Sequence, residues 1–210
     1  MSVSWNRDGS QLATLSESGV RFFNPDGTQG RLAEGPSINP VSPHWNASGD
    51  LLVADRNSTN IVQLWNAHGQ GRHVARGWGI RLGSPNWNAA GDRFAAGCSD
   101  KAVYILRPDG ATSKVLRGHH DTVDHTAWSP SANRVVSSAN DNTIRCWDTE
   151  TGNPAWVAVT LKGHRTLTYA ANGRLIGGDS DAAEDELVFV RTTGNGTALA
   201  TPGEAMPALQ

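Results

Sequence analysis

Short runs of apolar residues alternate with polar turns along the whole chain. Three such runs occur within residues 118–148, and they end near Trp128, Val136 and Trp147. Within each run, apolar and polar residues alternate with a period of two, which is typical of strands that bury one face. A Ser-Pro turn follows the first run and an Asn-Asp-Asn turn follows the second. The pattern predicts three antiparallel strands joined by tight turns, and nothing along the chain has the spacing of an amphipathic helix.

This unit repeats with a period of about 41 residues. An aromatic residue directly precedes a turn five times, at spacings of 40, 42, 41 and 41 residues: Trp5, Trp45, Trp87, Trp128 and Tyr169. Four of the five are followed, four residues later, by a glycine, as a hairpin turn with positive φ requires. A second marker ends an apolar run about nineteen residues further on, at Phe23, Trp65, Leu106, Trp147 and Phe189. A repeat of this length with four strands is typical of β-propeller blades.

The stretch 118–148 also carries the motifs of one propeller family. It opens with Gly118-His119, contains the Ser-Pro turn and closes with Trp147-Asp148. In this order and spacing it resembles a WD repeat. The resemblance implies an all-β fold, a β-propeller of about five four-stranded antiparallel WD-type blades, either complete or part of a larger six- to eight-bladed ring. Residues 163–205 further resemble the last segment of bacterial, planctomycete-type WD-repeat proteins.

The repeat assigns almost the whole chain to blades. We expect blade boundaries near 1–35, 36–77, 78–118, 119–163 and 164–202, followed by a polar tail over 203–210. The loop leading into the fifth blade is short, because Gly163 lies only six residues before Tyr169. Blade 1 begins partway along its innermost strand, so the chain is expected to be the C-terminal part of a larger propeller or to be completed by another chain. Because a blade buries its faces only against neighbours, we also expect self-association through open terminal blades.

In WD-repeat proteins a well-conserved blade pattern contains four hydrogen-bonded residues. By position, the resemblance implies His119, Ser137 (or its neighbour Ser138), Asp141 and Trp147. A buried imidazole, hydroxyl or indole N–H costs free energy unless it is paired, so a closed network would lock the blade. The other blades lack the full set. The same Ser, His and Asp would also suit a hydrolase triad, but the chain has no nucleophile elbow, and we expect no catalytic residues.

Two loops that lead into blades carry candidate partner-binding residues. Arg76, Trp78 and Arg81 precede the first strand of blade 3, and His120 and Asp121 precede that of blade 4. Trp and Arg are enriched at interface hot spots. The alternative for Trp78 is that it folds inward and fills the space of the missing network. The run 119–125 contains several His and Asp residues, but their spacing does not suit a converging set of zinc ligands, so we expect no metal.

Composition narrows the class of function. The net charge is −2 and the Lys and Arg residues are scattered singly, which disfavours nucleic acid or a membrane surface as partner. Only two cysteines and no N-terminal signal favour the cytoplasm. The sequence therefore predicts a non-enzymatic WD-repeat scaffold that binds proteins and needs no cofactor. The alternative is a propeller that binds a ligand or hydrolyses a substrate in its central channel, where His44 alone among the residues preceding the aromatics suits catalysis.

Overall fold

The computed structural model describes residues 2–16, 19–34, 43–54, 62–66, 70–75, 82–83, 85–131, 133–161, 165–178, 189–193 and 196–200. Every element of regular structure in these ranges is a β-strand, and all strand pairs are antiparallel. The all-β fold class predicted from the sequence is therefore confirmed. The blade boundaries drawn from the repeat stay predictions.

Each of the first three repeats forms one four-stranded sheet in which strands pair in chain order. Blade 1 contains β1 (Ser2–Trp5), β2 (Leu12–Ser16), β3 (Gly19–Phe23) and β4 (Gln29–Glu34). Blade 2 contains β5 (His44–Trp45), β6 (Leu51–Ala54), β7 (Val62–Trp65) and β8 (Gly71–Ala75). Blade 3 contains β9 (Asn86–Trp87), β10 (Phe94–Gly97), β11 (Ala102–Leu106) and β12 (Thr112–Arg117). This is the meander expected of propeller blades.

The fourth repeat gives the same four strands, and its sheet then continues. Blade 4 contains β13 (Val123–Trp128), β14 (Arg134–Ala139), β15 (Thr143–Asp148) and β16 (Pro154–Thr160). Two further strands extend its outer edge, β17 (Thr166–Ala170) beside β16 and β18 (Leu175–Gly178) beside β17. A separate hairpin joins β19 (Phe189–Thr193) to β20 (Gly196–Ala200).

The fifth repeat therefore pairs differently from the other four. Its first strand, β17, lies at the outer edge of blade 4, whereas the first strand of a blade was expected near the axis. The flanking residues show this pairing directly: Thr160 is opposite Thr166, and the Leu161 N–H donates to the Arg165 carbonyl at 2.8 Å. Only three residues separate Leu161 from Arg165, so β17 pairs with β16. Leu167 and Tyr169, on one face of β17, are buried there.

The turn after the first strand has the predicted backbone in four of the five repeats. The glycines four residues after the aromatics all have positive φ, between 71° and 85°: Gly9, Gly49, Gly91 and Gly173. In blades 1 to 3, an asparagine directly after the aromatic adds a second constraint on the turn. In blade 2, the Asn46 side-chain oxygen accepts the N–H groups of Ser48 and Asp50 at 3.0 and 2.8 Å. Local bonds of this kind fix the turn and therefore the register of the hairpin.

The core lies between the sheets. One apolar cluster, which includes Leu15, Phe22 and Trp65, fills the junction of blades 1 and 2. Equivalent clusters fill the next two junctions, and their largest members are Trp87 and Phe94 between blades 2 and 3 and Trp147 and Ile105 between blades 3 and 4. Each blade thus depends on its neighbours for burial, as in other repeat proteins.

One repeated hydrogen bond joins the first strands of consecutive blades. In blades 2, 3 and 4, the indole N–H of the first-strand tryptophan donates to the carbonyl of the residue that precedes the aromatic in the previous blade. The bonds run from Trp45 to Ser4 at 3.2 Å, from Trp87 to His44 at 3.0 Å and from Trp128 to Asn86 at 3.0 Å. We call this series the indole ladder. It fixes the relative position of neighbouring blades at the inner edge.

Candidate functional site

Blade 4 contains a closed hydrogen-bond network. The Trp147 indole N–H donates to Ser137 Oγ at 2.8 Å, and Ser137 Oγ lies 2.8 Å from His119 Nε2. His119 Nδ1 lies 2.9 Å from Asp141 Oδ2. Since a carboxylate can only accept, Nδ1 carries the proton and Nε2 accepts the serine hydroxyl proton. The structure thus brings together the four residues that the WD resemblance implied, with Ser137 and not Ser138 as the hydroxyl.

Four different elements position these side chains. His119 follows β12, Ser137 lies on β14, Asp141 lies in the turn after β14, and Trp147 lies on β15. The preceding Gly118 has a φ of 151°, and a Cβ there would lie 3.1 Å from the Trp147 ring. The Gly-His pair is therefore required locally, because the loop must pass closely over the indole before the imidazole turns inward.

Burial and hydrogen bonding set the charge of each group. Burial lowers the pKa of His119 and outweighs the opposing contribution of Asp141, so the imidazole is neutral at pH 7. For Asp141, burial raises the pKa, but hydrogen bonds from Thr143, from the His120 N–H and from His119 outweigh it and lower the pKa to about 2. The network therefore contains one fixed negative charge that is stabilised by several donors.

The network of blade 4 is better suited to stabilising the blade than to nucleophilic catalysis. The Ser137 side chain is 1% exposed, and its oxygen accepts the Trp147 indole while its proton goes to His119. Asp141 additionally accepts the backbone N–H of His120 at 2.8 Å. Through these hydrogen bonds, the network fixes the conformation of the loop 118–122 from its buried side. The side chains of His120 and Asp121, in contrast, are exposed.

The other blades have no equivalent network among the described residues. Trp65 has the repeat position of Trp147 and is buried, but no described residue accepts its indole N–H. Gln63, two residues earlier, is 2% exposed, and neither polar atom of its side chain is hydrogen-bonded to a residue that the structure describes. In blade 3, Asp100 accepts the Tyr104 hydroxyl at 2.6 Å instead of an imidazole. Unpaired buried groups cost about 1–3 kcal/mol each, so blade 2 lacks stabilisation that blade 4 has.

Of the candidate partner-binding residues, the structure describes only two. His120 and Asp121 lie on the rim where the fourth strands lead into the next blade. Arg76, Trp78 and Arg81 lie outside the described residues. In the run 119–125, His119 is buried whereas His120, Asp121 and His125 are exposed. The described part of the chain contains no cluster of three potential metal ligands.

The opposite rim has an open groove at the inner ends of blades 1 to 3. It has a volume of about 360 Å³ and is lined by residues that include Trp5, Arg7, His44 and Asn88. Burial lowers the pKa of His44, whose carbonyl accepts the Trp87 indole. The groove therefore combines one neutral imidazole and the Arg7 guanidinium with amide and indole groups. No observation here favours the alternative of a ligand-binding or hydrolytic channel.

Comparisons with known proteins agree with this geometry. Residues 110–148 match the family described as WD domain, G-beta repeat. The matched segment runs from β12 to β15, so it includes the last strand of blade 3 and the whole network of blade 4. The match and the relatives described next support a WD-repeat family.

The relatives are matched over part of their length. The chain is 35% identical over 81 residues to Ribosome assembly protein 4 of Saccharomyces cerevisiae, covering 36% of this chain and 15% of the relative. It is 32% identical over 103 residues to Protein transport protein sec13 of Aspergillus fumigatus, covering 42% of this chain and 34% of the relative. Nuclear distribution protein nudF of Aspergillus niger is 33% identical over 70 residues, covering 33% of this chain and 16% of the relative. The chain thus spans about a third or less of these relatives.

A solved structure shows the same fold. A chain of the crystal structure of the Mitotic Checkpoint Complex superimposes with a TM-score of 0.64 and 17% identity, covering 96% of this chain and 71% of that one. The likeness supports the β-propeller assignment.

No described helix is long and apolar enough to cross a membrane.

Proposed function

We propose that the chain is a non-enzymatic WD-repeat scaffold that binds a protein partner through the loop leading into blade 4. One observation carries the proposal. Asp141 holds this loop from inside through His119 and the His120 N–H, while the side chains of His120 and Asp121 remain exposed. A loop that is already ordered loses little conformational freedom on binding, so its contacts contribute more of their strength to affinity.

The comparisons support the same class of function. The names of the matched relatives refer to ribosome assembly, protein transport and nuclear distribution, and the similar fold comes from the Mitotic Checkpoint Complex. These names favour a role in assembling proteins over chemistry on a small substrate. Because the chain spans about a third or less of those relatives, the identity of its partner does not follow from them.

Two further parts of the proposal concern where the protein works. The two cysteines, Cys98 and Cys146, are free and buried, which supports a reducing compartment such as the cytoplasm. A bacterial, planctomycete-type source rests on the resemblance of residues 163–205, whereas the matched relatives named above are fungal.

Site-specific photo-crosslinking tests the partner-binding loop. A benzophenone amino acid would replace His120 in one protein and, as a matched control, the exposed Ala89 on the opposite rim in another. In a lysate of the source organism we expect position 120, and not position 89, to crosslink to a protein. Adding Asp121→Lys should strongly reduce that crosslink without changing the thermal unfolding temperature. Identical products from positions 120 and 89, or none at 120, would contradict the proposal.

A further inference from the structure

The hydrogen bonds that hold the loop 118–122 require a neutral His119 imidazole. Nδ1 carries the proton and lies 2.9 Å from Asp141 Oδ2, and Nε2 accepts the Ser137 hydroxyl proton at 2.8 Å. A further proton on His119 can bind only at Nε2, because Nδ1 is already protonated. Nε2 then becomes a donor, and the Ser137 O–H loses its acceptor. Since Ser137 is 1% exposed, that O–H would be buried without a partner, which costs free energy.

The Asp141 carboxylate does not need a charged imidazole to compensate it. Its Oδ1 accepts the Thr143 hydroxyl at 2.6 Å and the Thr143 N–H at 2.9 Å. Its Oδ2 accepts the His120 N–H at 2.8 Å in addition to the His119 contact. Three donors besides the imidazole therefore stabilise the negative charge, and protonation of His119 adds less to it than it would to an isolated carboxylate.

A buried arginine lies directly beneath the same loop. Arg145, on β15, is 7% exposed, and its guanidinium carbon lies 6.0 Å from the centre of the Trp147 ring. A Cβ at Gly118 would lie 2.9 Å from Arg145 Nη1, so the guanidinium packs against the backbone of the loop. The positive charge of Arg145 is thus fixed at the place where the loop passes over blade 4.

The charged groups that act on His119 come from three places. Burial is the largest influence and lowers the pKa of His119. Asp141, in the turn after β14, raises this pKa, whereas Arg145 on β15 and His120 in the loop itself lower it. Blade 3 contributes apolar side chains to the cluster around Trp147: Val103, Ile105 and Leu116. Arg145 is therefore the group whose fixed positive charge opposes the attraction that Asp141 exerts on a proton at His119.

We propose that the loop 118–122 is a proton-operated switch, in which protonation of His119 releases the loop from blade 4 and the Arg145 charge couples proton uptake to release. A released imidazole is solvated and takes up its proton at the ordinary pKa of 6.5. The adjacent His120 N–H then leaves Asp141 as well. The inference rests on the proposed partner-binding loop, because release removes the ordered surface that presents His120 and Asp121. Partner binding should therefore weaken as the pH falls below 6.5.

Nuclear magnetic resonance of the full chain tests release without any partner. The nitrogen-15 shifts of His119 report its tautomer and its protonation, and hydrogen exchange of the His120 amide reports whether the loop is held. At pH 7 we expect the Nδ1–H tautomer and a protected His120 amide. From pH 7 to pH 5 the protection factor of that amide should fall about tenfold as the imidazole takes up its proton. Amides of β11 should keep their protection, which distinguishes release from unfolding.

Variants of Arg145 separate its charge from its packing. Arg145→Met removes the charge from a long side chain, so the imidazole should take up its proton at a higher pH while it stays in place. The loss of His120 protection should then shrink to about threefold or less. Arg145→Lys keeps the charge and should behave like the wild type. The matched control is His125→Gln, which changes an exposed histidine on β13 outside the network and should alter neither measurement.

Photo-crosslinking from position 120 at pH 7 and at pH 5 tests the link to partner binding. The yield of the crosslinked product should fall by at least about half in the wild type and by less in R145M. An Nε2–H tautomer at pH 7, His120 protection that persists while the imidazole titrates, or equal behaviour of R145M and R145K would each overturn the switch. A crosslink that does not change with pH although the loop is released would overturn its link to the partner. If no crosslink forms at any pH, the proposed function fails, and the exchange data still decide whether protonation releases the loop.

Discussion

Trp65 and Trp147 have the same position in the repeat but different hydrogen bonding. Both are buried, with exposed fractions of 4% and 0%. The Trp147 indole donates to Ser137 at 2.8 Å, whereas the Trp65 indole has no partner in the part of the chain that the structure describes. Comparing these two tryptophans therefore isolates the contribution of one buried hydrogen bond to stability, because the side chains have the same size and nearly the same burial.

Replacing each tryptophan by phenylalanine should give different losses of stability. Trp147→Phe leaves the Ser137 oxygen without its donor and should lower the free energy of unfolding by about 2–4 kcal/mol. Trp65→Phe removes an N–H group that has no partner among the described residues, so the smaller ring is the main change. We expect it to lower the free energy of unfolding by less than about 1.5 kcal/mol. Urea unfolding monitored by circular dichroism measures both. Equal losses would show that the indole bond in blade 4 contributes little.

At the scale of the element, the difference between blades should appear as a difference in local opening. Blade 4 has a complete buried network, whereas blade 2 contains the unpaired polar atoms of Gln63 and Trp65. Free energies of local opening vary along a chain, and a difference of about 1.4 kcal/mol changes exchange tenfold. We expect the amide hydrogens of β15 to exchange at least about tenfold more slowly than those of β7.

Native-state hydrogen exchange with mass spectrometry can make this comparison within one sample. Ser137→Ala serves as the internal control, because it removes the acceptor of Trp147 and the donor to His119 without a large change in volume. It should accelerate exchange in β15 and leave β7 unchanged. If β15 and β7 of the wild type exchange equally, the network does not stabilise blade 4 above blade 2.

Most of the element order could be predicted from the sequence, but strand partners could not in every case. The 41-residue period located the first strands and their turn glycines, because both depend on local backbone requirements. The position of β17 depends on which sheet edge is nearest, and a periodic pattern contains no information on that choice. The indole ladder was missed for a similar reason. The aromatics were recognised, but their acceptors lie about 41 residues away and are backbone carbonyls that any residue could supply.

The candidate site, too, could be predicted only in part from the sequence. The WD resemblance identified His119, Asp141 and Trp147, but it left Ser137 and Ser138 as alternatives for the hydroxyl. Successive residues of a strand point to opposite faces, so only the register of β14 against β15 decides which serine faces the indole. The unpaired Gln63 gave no signal in the sequence, because a single polar residue in an apolar strand is also compatible with an exposed position.

At the scale of the whole molecule, buried titratable groups should restrict the range of pH in which the protein is most stable. Burial lowers the pKa of His119 and of His44, and hydrogen bonds hold the pKa of Asp141 at about 2 despite its burial. On the alkaline side, burial raises the pKa of Cys98 to about 11, and burial together with the Asp100 hydrogen bond raises that of Tyr104 to about 12. All five shifts favour the form that the folded state holds near neutral pH.

The sign of each shift fixes the direction of the change in stability. Below pH 6.5 the unfolded chain takes up protons on His44 and His119 that the folded chain does not, so stability should fall as the pH decreases from 6.5. A second loss should follow between the ordinary pKa of Asp141, 3.8, and about 2. Above pH 9 the unfolded chain releases protons from Cys98, and above pH 10 from Tyr104, that the folded chain retains, so stability should fall again.

Urea midpoints measured from pH 3 to pH 11 should therefore be highest and nearly constant between about pH 6.5 and pH 9. His44 lies outside the blade 4 network. His44→Gln should therefore reduce the fall of the urea midpoint between pH 6.5 and pH 5, while leaving its fall at alkaline pH unchanged. Cys98→Ala should instead reduce the alkaline decline and leave the acid side unchanged, after allowance for its lower stability at neutral pH. A midpoint that stays constant from pH 7 to pH 5 in the wild type would mean that neither imidazole is held neutral by burial.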